Sequence, residues 1–301
     1  MFNARLLCLT CMLNKNFGII FFGIIFLWNY ILLYTLQRMT RSRKSDVIPG
    51  QRIKAFAPVW KRFEASRIVM SLVSKGYKMS FAREPKLSAP LKKFSTNLPE
   101  DQMQVVRKEV AGFLLKGAIR KLSADEAVST PGYYSKLFCV PKPGGKWRMI
   151  IDMRGLNSYI VKKSFTMQGT KDVRNILTPG MHGAVIDISD AYYHVSVHRK
   201  ARKYCRFILD GVIYEYLGLP MGLSCSPRIF TRISRFACDW LRKRGVLLII
   251  YIDVIIFLTR IMHIVIFFIL GHPRSRTHRS RLQKECVFGA TFYKATRLHN
   301  Q

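Results

Sequence analysis

Two acids in this 301-residue chain sit where acids are expensive. Asp253 interrupts the apolar run "LLIIYIDVIIFL" at 247–258, and Asp187 closes the strand-like "AVID" of "HGAVIDISDAYYHVSV". A carboxylate among hydrophobes is unfavourable unless it is paired or holds a metal. Either acid alone reads as a turn or cap residue. Two of them at the ends of neighbouring apolar strands suit two-metal phosphoryl transfer, with ions about 3.5–4 Å apart. Mg²⁺ takes oxygen ligands and keeps several waters, so few carboxylates suffice. Other metal patterns are weaker. His194 and His198 lie four apart in "HVSVH" without a third ligand nearby, and read as structural histidines. "CLTC" at 8–11 is the only CxxC among seven scattered cysteines, which read as free thiols in a reducing compartment.

The charge balance names the kind of partner. Fifty Lys and Arg stand against 17 Asp and Glu, a net +33, while 49% of the residues are apolar. That apolar share excludes a disordered chain, and the excess of cations implies a polyanion, nucleic acid first and an anionic membrane second.

The elements that must position the two acids follow from periodicity. "SRIVMSLVSKGY" is a short helix capped by Ser66 and stopped by Gly76. A second helix follows "NLPEDQMQVVRKEVAGFLLKGAI", with acids at its start, Val106, Val110, Phe113 and Leu114 on one face, and Gly117 at its end. "KLFCV", "PKPGG" and "KWRMIIDM" read as strand, turn and strand. "RKYCRFILDGVIYEYLGLP" is a hairpin turning on Asp210-Gly211. A helix starts at Ser226 as cap and Pro227 in the first turn, with Ile229, Phe230, Ile233, Phe236, Ala237, Trp240 and Leu241 on its core face. Its other face carries Arg228, Arg232, Arg235, Arg242 and Lys243, a set suited to phosphates. "GVLLIIYIDVIIFL" then reads as strand, tight turn and strand, bending at Tyr251–Asp253. Residues 17–36, "FGIIFFGIIFLWNYILLYTL", are long enough to span a bilayer, and "RMTRSRK" after them would lie on the cytoplasmic side.

In this order and spacing, "KLFCVPKPGGKWRMIIDMRGLN", "VIDISDAYYHV", "YEYLGLPMGLSCSPRIF" and "YIDV" resemble the fingers and palm motifs of retroelement reverse transcriptases over about residues 55–259. "VWKRFEASRIVMSLVSKGYKMSF", "VAGFLLKGAIRKL" and "PRIFTRI" look most like the DIRS-like retrotransposon branch, with Gypsy-type elements next. The resemblance implies an α+β fingers-palm fold with a small antiparallel palm sheet backed by helices, and template-directed DNA synthesis from an RNA template, a DNA primer and dNTPs, with two Mg²⁺ ions or Mn²⁺ as cofactor. It implies Asp187 and Asp253 as the catalytic metal ligands, helped by the backbone carbonyl of Ile188. Asp190, Ala191 and Tyr192 would line the nucleotide pocket, the Tyr192 ring excluding a ribose 2′-hydroxyl. Arg148, with Lys142 or Lys146 beside it, would grip the triphosphate. Met221 and Gly222 would face the base and sugar. Tyr251, Ser226, Arg228, Arg232 and Arg235 would contact primer and template.

The sequence also departs from that family. Active members carry Tyr-x-Asp-Asp at the hairpin turn, and the fourth position here is Val254. Fewer carboxylates then balance two divalent ions, so impaired or absent catalysis is the expectation. After Leu258 the pattern dissolves, and a thumb is expected to be missing or degenerate, as in a truncated element. The expected organisation is a leader at 1–45, N-terminal helices and fingers at 46–180, palm at 181–259, and a degenerate remnant at 260–301. Two other readings are a non-enzymatic nucleic-acid-binding fragment and a membrane protein anchored by 17–36, with 246–270 as a second span. Residence in the cytoplasm or nucleus is the expectation unless 17–36 anchors the chain.

Overall fold

The computed structural model describes residues 50–90, 94–259 and 290–297. The described residues divide into two compact units: those of 50–167 with 189–234, and those of 168–188 with 235–259 and 290–297.

The first unit is built on helices and two small antiparallel sheets. Helix α1 (Arg67–Lys75) begins as its sequence predicts, the Ser66 hydroxyl accepting from the Val69 N–H at 3.4 Å, and it ends at Gly76 with φ +84°. Helix α2 (Glu100–Leu115) carries Glu100 and Asp101 in its first turn, where the positive end of the helix dipole favours them. Met103, Val106 and Val110 are buried along one stripe, and Phe113, only half-buried, meets Tyr193 edge-on at 5.3 Å. One sheet has the order β1 (Ile119–Lys121), β6 (Val212–Tyr216), β5 (Arg206–Leu209). Its hairpin turns on Asp210 and Gly211, both left-handed at φ 49° and 73°, as a two-residue turn matching strand twist requires. Leu122, Ala127, Tyr134, Ile208 and Ile213 close a core against this sheet.

The other sheet of this unit is the hairpin of β2 (Leu137–Lys142) and β3 (Lys146–Ile151). The predicted turn "PKPGG" is shorter than expected. Pro141 and Lys142 extend the strand, and Pro143, Gly144 and Gly145 make the tip, with both glycines at positive φ.

The second unit is a four-stranded antiparallel sheet in the order β7 (Leu247–Tyr251), β8 (Val254–Thr259), β4 (His182–Ile188), β9 (Ala290–Arg297). The apolar run at 247–258 is therefore a tight hairpin. Residues 247–259 form no part of a membrane helix, and no helix among the described residues is long and apolar enough to cross a membrane. Residues 17–36 and 260–270 lie outside the described residues. Strand β9 lies within the 260–301 stretch expected to be a degenerate remnant. Its sequence, "ATFYKATR", is rich in β-branched and aromatic residues, and it pairs along the open edge of β4.

Helix α3 (Ser226–Arg242) gives its first half to one unit and its second half to the other. Ile229, Phe230, Ile233, Cys238 and Leu241 are buried on it, while Phe236, Ala237 and Trp240 are half-buried, a narrower core face than the periodicity suggests. The Arg244 guanidinium lies 3.4 Å from the centre of the Trp240 ring. Ser226 does not cap the helix. It is fully buried, the helix already includes it, and its hydroxyl donates to the Pro220 carbonyl at 2.9 Å.

Candidate active site

The β4–β8 ladder sets the two acids against each other. Asp187 stands opposite Val254, one step past the Ile186–Ile255 pair, and the Ile188 N–H donates to the Asp253 carbonyl at 2.9 Å. Asp253 occupies the second position of the two-residue turn that joins Tyr251 to Val254. The first position, Ile252, is left-handed at φ 54°, a conformation that a β-branched residue adopts at a cost of about 1–3 kcal/mol. The ladders on both sides hold it there. Tyr251, beside it, is 46% exposed.

Burial, and then the Asp187 charge, push the Asp253 carboxyl above the ordinary aspartate range. Two carboxylates that repel each other at adjacent strand ends, next to the Ile188 main chain, form an oxygen donor set that a divalent cation would relieve. Among the described residues no group of three or more His, Cys, Asp or Glu could hold a metal. The place where a third carboxylate would complete this set is Val254, directly across from Asp187.

Side chains without any sequence signal brace this hairpin. Gln168 accepts from the Ile250 N–H at 3.1 Å on the outer edge of β7, and also from Arg242. Arg242 in turn donates to the Leu248 carbonyl at 3.1 Å and pairs with Asp239 at 2.6 Å. The predicted phosphate-facing row on α3 therefore loses Arg242, whose guanidinium is spent on the sheet edge. Arg232 and Arg235 are exposed and Arg228 is half-buried.

The remaining predicted site residues belong to the first unit. Asp190 is left-handed at φ 56° and pairs with Lys116 at 2.9 Å, a contact that sequence reading missed. Ala191 is buried, and Tyr192 meets Phe230 edge-on at 5.9 Å. Met221 is 49% exposed. Gly222 has φ +86°, which a side chain would strain, and its carbonyl accepts from Asn157 Nδ2 at 2.9 Å. Asn157 Oδ1 also accepts from the Ser224 N–H, so a single amide holds the 222–224 turn. On the β2–β3 hairpin, Lys142 stands opposite Lys146 and Val140 opposite Arg148. Lys142, Lys146 and Arg148 thus share one exposed face. The other face turns to α2, where Trp147 Nε1 donates to Asp101 at 2.8 Å. Like charges directly opposed cost stability, and an anion reverses that cost. His194 is buried with Nε2 at 3.1 Å from the Ser189 carbonyl, while His198 Nδ1 accepts from the Lys200 N–H, so both are structural.

Residues 140–272, which contain both acids and their hairpin, match the family model described as reverse transcriptase (RNA-dependent DNA polymerase). Among curated relatives, the chain is similar to the Gag-Pro-Pol polyprotein of Human T-cell leukemia virus 2, at 30% identity over 157 residues, 50% of this chain and 10% of that one. It is also similar to the Pol polyprotein from transposon 412 of Drosophila melanogaster, at 25% identity over 131 residues, 41% of this chain and 11% of that one. Among solved structures, the foamy viral protease-reverse transcriptase in complex with an RNA/DNA hybrid aligns at TM-score 0.47 and 20% identity, covering 61% of this chain and 23% of that one. The chain spans about a tenth of the length of the curated relatives it matches.

Proposed function

We propose that this domain derives from an RNA-directed DNA polymerase of a retrotransposon, of the DIRS-like branch with Gypsy-type next, and that its catalysis is crippled at Val254. The observation that carries this reading is the pairing of Asp187 with Val254, beside Asp253, within a segment that matches the reverse transcriptase family. Its fingers would comprise residues 46–180 and its palm residues 181–259. Asp187, Asp253 and the Ile188 carbonyl would hold divalent ions. Two Mg²⁺ or Mn²⁺ ions, when bound, activate the primer 3′-hydroxyl and stabilise the leaving pyrophosphate. The chain's own residues do the rest of the work. Lys142, Lys146 and Arg148, fixed on one face of a hairpin with a glycine tip, bind and orient the triphosphate. Asp190, Ala191 and Tyr192 shape the nucleotide pocket, with Tyr192 held edge-on to Phe230 so that its ring excludes a 2′-hydroxyl. Met221 and Gly222 lie against base and sugar, and Tyr251 meets the primer terminus. Ser226 starts the helix under the template, which Arg228, Arg232 and Arg235 contact.

Primer extension on an RNA template with Mg²⁺ or Mn²⁺ tests this reading. The expected result is little or no synthesis by the parent chain and a gain with Val254→Asp that Asp187→Ala removes. Robust synthesis by the parent, abolished by Asp187→Ala, overturns the role given to Val254. The net charge of +33 favours a second reading, a nucleic-acid-binding fragment without synthesis. Salt-dependent binding with no extension by any variant would select it.

A further inference from the structure

We propose that Lys75, Lys78, Arg199 and Lys200 form a further contact surface for a nucleic-acid phosphate backbone, in addition to the cations of the β2–β3 hairpin and α3. The proposal rests on the nucleic-acid part of the functional reading and is independent of synthesis. The backbone brings the four together. The Tyr77 N–H donates to the Ser196 carbonyl at 2.8 Å, the His198 N–H donates to the Tyr77 carbonyl at 2.9 Å, and Tyr77 bridges Val197 in parallel. Lys78 therefore follows its strand position as His198 and Arg199 follow theirs, with Lys75 at the end of α1 and Lys200 next to Arg199. All four side chains are exposed.

Their convergence through one backbone bridge is what marks them, with no acid to offset them. Elsewhere in this unit Arg107, Lys116, Arg120, Arg154 and Arg206 are each matched to a carboxylate. None of these four enters an ion pair among the described residues. Glu84 accepts from the Tyr204 hydroxyl at 2.8 Å. Four unmatched cations close together repel, and a polyanion turns that repulsion into affinity. An anionic membrane is the poorer fit, because interfacial binding also needs a buried apolar face. Ile68 on α1 is the one large hydrophobe exposed on these elements among the described residues.

The test is fluorescence anisotropy of the full chain with labelled single-stranded RNA across a salt titration. Removing one cation that neutralises a phosphate flattens the log K against log salt slope by about 0.7. The variant Lys78→Gln/Arg199→Gln/Lys200→Gln should flatten it by about 2 and weaken low-salt binding at least about tenfold. Lys75→Gln/Lys78→Gln, a milder change, should flatten it by about half to two-thirds as much. Parent-like slopes in both Gln variants would overturn the surface alone. A parent chain without salt-dependent RNA binding would overturn both the surface and the nucleic-acid reading. Loss of binding to phosphatidylserine vesicles, with the RNA slope kept, would assign the patch to lipid and refute the proposal.

Discussion

Asp187 and Val254 face each other across the β4–β8 ladder, in register and next to Asp253. Directly opposed residues of an antiparallel pair have Cβ atoms about 4.5–5.5 Å apart, so a charge at 254 would act on Asp187 at close range. Without metal, Val254→Asp should therefore destabilise the sheet by about 0.5–1 kcal/mol, lowering Tm by about 1–4 °C. Mg²⁺ should reverse the loss and raise the Tm of the variant more than that of the parent. Thermal melts in EDTA and in MgCl₂ measure this, and equal Mg²⁺ shifts in the two proteins would sink the idea.

Asp253 should make stability fall as pH rises. Its carboxyl is held above the ordinary range by burial and by Asp187, so the folded chain retains a proton that the unfolded chain has released. The folded state then binds more protons, and stability is lost as pH climbs through the folded value. Asp253→Asn mimics the protonated form and removes that loss. In urea melts its advantage over the parent should be smallest near about pH 4 and grow toward neutrality. An advantage independent of pH would contradict the assignment.

Gln168 is expected to act on the β7–β8 hairpin through the sheet edge. Gln168→Ala leaves the Ile250 N–H without its acceptor and should cost about 1–2 kcal/mol. Gln168→Glu keeps the acceptor and should be tolerated beside Arg242. Hydrogen exchange resolves the mechanism. The Ile250 amide should lose protection in the Ala variant beyond the global change, and retained protection there would refute the bracing role.

The first unit depends on a buried ion pair. Arg206 and Glu215 are each 4% exposed and lie 3.0 Å apart, with Arg206 also donating to the Thr130 carbonyl at 2.7 Å. Glu215→Leu strands a buried guanidinium and should cost about 3–5 kcal/mol. Arg206→Met with Glu215→Leu should recover most of that loss in a denaturant double-mutant cycle. Additive losses would show that the pair is not coupled.

Much of this architecture could be read before folding, and the legible parts share one property. The Ser66 cap, the Asp210-Gly211 turn, the stripe of α2 and the hairpin around Asp253 are each decided by residues within a few positions of one another. Sequence alone also singled out Asp187 and Asp253, since a lone carboxylate in an apolar strand has few stable fates. It misplaced Ser226 and Arg242, because a serine before a helix and an arginine on its polar face look the same whatever they later touch. Only the tertiary structure decided that Ser226 is buried against Pro220, that Arg242 and Gln168 clamp the edge of β7, and that β9 flanks β4. It alone set Lys142, Lys146 and Arg148 on one face and Asp187 in register with Val254. The physical reason is separation along the chain. Gln168 and Ile250 are 82 residues apart, and a hydrogen bond over that span depends on how intervening elements pack, which no local preference encodes.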